Sequence, residues 1–170
     1  MSSSGLQTGK SKEIYLVQPN KNFETPNLVK VLNDPNIQIV IHFARKDKSA
    51  IENFLKPKCK ITSLFDSKIA SRLVRKYSND HGLSALCQEF AGVRLEKKMA
   101  SSDWAKDMSE YSDKEKMYAA ADVQYLFLIK TKLESMLKRE KKYDIFLKCM
   151  EFIDTRIEID NLGIDKIFDH

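Results

Sequence analysis

The chain has little of what marks extended, secreted or membrane-bound proteins. Five Gly and four Pro in 170 residues exclude long low-complexity or collagen-like segments. The three cysteines, Cys59, Cys87 and Cys149, are odd in number and widely spaced. No Cys-x-x-Cys pair occurs, which argues against a disulfide framework or a structural zinc site and points to a reducing, cytoplasmic compartment. No apolar run approaches the roughly 20 residues of a membrane span. Residues 1–12 are polar and give no hydrophobic leader. HExxH and Gly-rich phosphate-loop patterns are absent as well.

What remains is ordinary for one globular domain spanning 1–170: 42% hydrophobic and 31% charged residues, with a net charge of +5. That mild basic excess suits either a solubilising surface or a polyanion-binding face. Lys68, Arg72, Arg75 and Lys76 lie three or four residues apart, so a helix would gather them on a shared face, a candidate contact for nucleic acid.

The pattern predicts α/β architecture. Residues 1–12 read as a flexible start, and EIYLVQ at 13–18 as a short strand. Thr25-Pro26 opens a helix to residue 33. IQIVI at 37–41 reads as a strand buried on both faces. Helices are expected over about 46–54, 67–77 and 82–91, with a third extended segment at 61–65. Asp66 reads as the N-cap of the helix that follows it, and Trp104 as a buried anchor of a polar loop. Ser112-Asp-Lys-Glu115 is a capping box that should start the longest helix, to about 140. A last helix is expected over 143–152, followed by an irregular tail.

Two positions could carry chemistry. Tyr118 and Asp122 lie one helical turn apart, so a phenol and a carboxylate share a face. Asp47 follows a buried strand, where α/β folds place their ligands, although a carboxylate in the first turn of a helix also simply complements its dipole. His42 reads as a packed histidine.

Taken in order, His42-Phe-Ala-Arg-Lys-Asp47, Leu64-Phe-Asp-Ser-Lys-Ile-Ala-Ser-Arg-Leu73, His81-Gly-Leu-Ser-Ala-Leu86, Ser101-Ser-Asp-Trp104 and Met117-Tyr-Ala-Ala-Ala-Asp122-Val resemble ribonuclease D. That family belongs to the DEDD 3′–5′ exonucleases, in the branch whose last motif contains tyrosine. The resemblance covers residues 13–137. The ending, Asp154-Thr-Arg156 through Phe168-Asp-His170 within the C-terminal helix and tail at 138–170, resembles short bacterial single-domain relatives. It implies a ribonuclease H-like exonuclease fold: a mixed sheet with helices on both sides. It also implies two Mg2+ or Mn2+ ions held by four carboxylates, RNA or single-stranded nucleic acid 3′ ends as substrate, and nucleoside 5′-monophosphate as product. Carried over by motif, Asp47 and Asp122 are metal ligands, Tyr118 orients the attacking water, and His42 lies beside the bound strand.

The family's first motif, Asp-x-Glu on an apolar strand, has no counterpart before Asp47. Residues 1–12 contain no acidic side chain. The chain is therefore expected to lack the first two strands of the fold, leaving the strand at 13–18 apart from that at 37–41. Its site would be incomplete unless a separate N-terminal fragment supplies the missing carboxylates. The alternative is a non-catalytic nucleic-acid-binding remnant.

Overall fold

The computed structural model describes residues 4–7, 13–95, 106–164 and 166–167. Among the described residues four short strands and seven α-helices follow one another. They are β1 (Ser4–Gln7), β2 (Ile14–Val17), α1 (Pro26–Asn33), β3 (Ile39–Ile41), α2 (Ala44–Phe54), β4 (Leu64–Asp66), α3 (Ser67–Val74), α4 (Leu83–Ala91), α5 (Asp113–Gln124), α6 (Leu126–Arg139) and α7 (Tyr143–Asn161).

The strands form two separate pairs. β1 and β2 pair antiparallel, while β3 and β4 pair parallel with Ile39 opposite Leu64. The separation of the 13–18 strand from the 37–41 strand is thus present. Part of the segment read as a flexible start, Ser4–Gln7, is a strand. It pairs with β2 as a hairpin, Gln7 opposite Ile14 and Ser4 opposite Val17, and its polar composition does not report this. β3 is only half-buried, and Ile37 is exposed. Among the described residues β4 is its only strand neighbour, so it does not have the two-sided burial that its apolar run suggests.

Two apolar clusters make the core. The first joins Phe65, Ala70, Val74, Leu86, Cys87, Ile129, Leu133, Leu137 and Phe146 across β4, α3, α4, α6 and α7. The second joins Val29, Leu32, Ala44, Leu55, Ile61, Leu64 and Ile153. The apolar stripe of α6, Leu126–Ile129–Leu133–Leu137, keeps the three- and four-residue spacing of a buried helix face.

Local signals place several boundaries. Pro26 stands in the first turn of α1. Ser112 accepts from the Glu115 N–H, and Glu115 accepts in return from the Ser112 N–H, a complete capping box. Two expectations fail downstream. The helix begun at Asp113 does not run to 140; it breaks at Tyr125. α5 packs on β1 and β2, whereas α6 packs on α3 and α4, and the bend lets each half serve a different neighbour. Residues 153–161, read as tail, continue α7 as helix. Their alternating charges are not solvated loop. Asp154 pairs with Lys48 and Lys60, and Asp160 with Arg45 and Arg156. Gly163, at φ 70°, then closes the helix in the left-handed conformation glycine tolerates best. No helix among the described residues is long and apolar enough to cross a membrane. Ser101–Trp104, with the expected anchor Trp104, lies outside the described residues.

Candidate nuclease site

Asp66 organises one half of the site. Its buried carboxylate accepts from the N–H groups of Lys68 and Ile69, capping α3. It accepts also from Phe43 at 3.2 Å and Ala44 at 2.8 Å, at the start of α2. With four backbone donors on it, Asp66 is a structural clamp between two helix N-termini. Its capping role is legible locally; the second pair of bonds spans more than 20 residues and has no signature in spacing.

The clamp fixes α2, and with it Asp47. Asp47 lies exposed in the first turn of α2. Partial burial of its carboxyl group, then the neighbouring Asp66 charge, hold its pKa above the usual carboxylate range. The far side of α2 is anchored by Lys48, which is 2% exposed and bonded to Glu52 and to Asp154 of α7. Lys60 also pairs with Asp154 at 2.8 Å.

Tyr118 and Asp122 occupy the other half, on α5. Burial raises the Tyr118 phenol, and the Asp122 charge raises it further, so the two groups sense each other as their spacing requires. Burial alone raises Asp122. Asp122 also reaches α4 electrostatically: burial, then the Asp122 charge, push the Cys87 thiol up to about 11.

His42 is half-buried, with Nδ1 2.9 Å from the Ser67 hydroxyl. Burial, opposed by Asp66 and assisted by Lys68, pushes its pKa down to about 4. It is therefore neutral near pH 7 and offers no charge to a phosphate. The basic face also needs correction. Arg75 is 3% exposed and turns inward, where it binds Glu89 through Nε and Nη2, Ser71, and the Asp80 carbonyl. It ties the end of α3 to α4 instead of facing solvent, because α3 stops at Val74 and Arg75 leaves the helical spacing. Arg72 and Lys76 are exposed and Lys68 is half-exposed. Lys68 and Arg72, one turn apart on α3, are the basic face that remains, with Lys76 just beyond its end.

As a metal site the described residues fit in kind but not in number. Carboxylate oxygens suit Mg2+ or Mn2+, yet no group of three His, Cys, Asp or Glu among the described residues could hold an ion.

The comparisons with known proteins cover the segment that carries these residues. A family model described as 3′–5′ exonuclease matches residues 3–138, and the chain belongs to that family. Its likeness within the family is to ribonuclease D and to NrnC. Ribonuclease D of Pseudomonas paraeruginosa is 27% identical over 138 residues, covering 81% of this chain and 35% of that protein. Ribonuclease D of Gluconacetobacter diazotrophicus is 33% identical over 115 residues, 67% of this chain and 28% of that protein. The chain thus spans about a third of the length of these relatives. Brucella melitensis NrnC superimposes with a TM-score of 0.82 at 35% identity, over 92% of this chain and 76% of that one. NrnC is also known with bound Mg2+ (TM-score 0.81, 34% identity, 92% of this chain and 76% of that one) and bound to pGG (0.78, 35%, 88% and 71%). The mixed α/β model, with its small sheet and many helices, shares the nuclease fold of these neighbours.

Proposed function

We propose that this chain carries part of a 3′–5′ exonuclease site that acts on RNA 3′ ends by two-metal-ion hydrolysis. Asp47 and Asp122 contribute two of the carboxylates that hold Mg2+ or Mn2+, and Tyr118 orients the attacking water. In such sites the paired ions stabilise the attacking and leaving oxygens at phosphorus. The observation that carries the proposal is the Tyr118–Asp122 pair on one face of α5, with both groups perturbed by burial at a single place. Support comes from the family match over 3–138 and from the Mg2+-bound and pGG-bound forms of NrnC. The further carboxylates of such a site are assigned to an apolar strand bearing Asp-x-Glu.

The purified chain is expected to release little or no mononucleotide from 3′-labelled RNA in Mg2+. Adding a peptide with the Asp-x-Glu strand should restore release, and Asp122→Ala should abolish it again. Robust Mg2+-dependent release by the chain alone would contradict the divided site. No release in the presence of the added strand would defeat the enzymatic reading. A second reading, binding without catalysis, is favoured by the face formed by Lys68, Arg72 and Lys76. It requires affinity for short RNA that falls steeply with salt.

A further inference from the structure

Phe43 sits between His42 and α2 in a conformation that a bulky L-residue avoids. Its φ and ψ are 65° and 58°, the left-handed region. Holding such a residue there strains the backbone. Phe23 shares the conformation at φ 57°, but its strain has a visible offset. That ring is half-buried, 5.7 Å from the ring of Phe54, and its backbone bonds to Asn20 and Lys56. Phe43 has no such offset: its side chain is 41% exposed and joins neither core cluster. The turn itself is held by backbone donors, since the N–H groups of Phe43 and Ala44 bind Asp66. Glycine or asparagine would satisfy it with less strain.

Two cations flank the exposed ring. Lys68 Nζ lies 4.0 Å from its centroid and the Arg45 guanidinium carbon 5.8 Å. Arg45 is anchored through Nε to Asp160 at 3.0 Å, whereas Lys68 hangs from the first turn of α3. Asp47 stands in the first turn of α2, four residues after Phe43. A solvent-facing aromatic ring flanked by two cations, four residues before an exposed carboxylate, matches the chemistry of a single-stranded nucleic-acid platform. Such platforms stack a base on the ring and place cations on the adjoining phosphates.

We infer that Phe43 is a nucleobase-stacking residue, on which one of the last two bases of a bound strand lies while Lys68 moves from the ring to a phosphate. The location near the 3′ end rests on the exonuclease reading; the stacking itself needs no metal.

The test uses RNA hexamers with 2-aminopurine at the last or the penultimate position, in low salt with EDTA so that cleavage does not intervene. Binding to the chain should quench the probe in at least one of the two oligomers. Phe43→Gly should leave the melting temperature equal or higher, remove the quench and weaken affinity about 5- to 100-fold. Phe43→Trp should keep the quench, and Lys68→Gln should lower the salt slope by about one. Full quench and affinity in Phe43→Gly would overturn the inference, as would binding without quench, or no binding, by the unaltered chain. Mononucleotide release with the added strand is measured separately. The exonuclease reading can therefore stand while the stacking site falls, and the reverse.

Discussion

The two carboxylate-bearing helices are mounted very differently. α2, with Asp47, rests on the second apolar cluster through Ala44, is pinned at its start by Asp66, and is tied along its length to α7 by Lys48–Asp154 and Arg45–Asp160. α5, with Tyr118 and Asp122, buries only Glu115 and Ala119 and packs chiefly on the short β1–β2 ladder. Its junction to the remainder runs through Tyr125, the 106–111 segment and Gln18. The Gln18 side chain bridges the Lys106 carbonyl and the Met108 N–H. Among the described residues, α2 is thus seated on a core, whereas α5 rests on a thin unit and buries few side chains of its own. A low density of buried apolar contacts is what local opening requires, so α5 should be the half that moves.

The largest test strikes the well-cored half. Leu32→Ala empties a buried position in the second cluster, the one that seats α2, and should cost about 3–4 kcal/mol of global stability in urea unfolding. A loss below about 1 kcal/mol would mean that the core is looser than the comparison requires.

The second test uses pH. His42, at the border of α2, is held neutral in the folded chain at about pKa 4, while the unfolded residue titrates near 6.5. Its depressed folded value means the unfolded chain binds the extra proton first as pH falls. Stability should therefore be complete above about pH 6.5 and decline toward pH 4, by about 2 kcal/mol. His42→Gln should flatten that part of the curve, as followed by melting temperature against pH. An unchanged slope in the variant would show that other groups set it.

The smallest effect belongs to the thin half. Ser112→Ala removes the N-cap of α5 and should cost about 1 kcal/mol. It should appear as faster amide hydrogen exchange in α5, with α6 protection and global unfolding nearly unchanged. Equal acceleration in α5 and α6 would erase the distinction between the two regions.

The residues explain which features were legible. Pro26, the Ser112–Glu115 box, the Asp66 cap and the Tyr118–Asp122 pair all act within four residues, so spacing alone displays them. The order of motifs, more than any one of them, revealed the exonuclease family. Spacing misjudged Arg75, which keeps helical spacing on paper but turns into Glu89 once α3 ends. It also misjudged 153–161, whose charges read as tail until their partners on α2 are seen.

By itself, then, the sequence determined the family, the Pro26 and Asp113 helix starts, the Asp66 cap and the shared helix face of Tyr118 and Asp122. Each depends on residue type and on separations of a few residues. Tertiary structure alone decided that Asp66 clamps two helices, that Lys48 is buried against α7, that α5 and α6 part at Tyr125, and that Phe43 is held strained and exposed between Lys68 and Arg45. Those features arise from chain segments more than 20 residues apart or from the competing demands of two packing surfaces, and no local pattern encodes either.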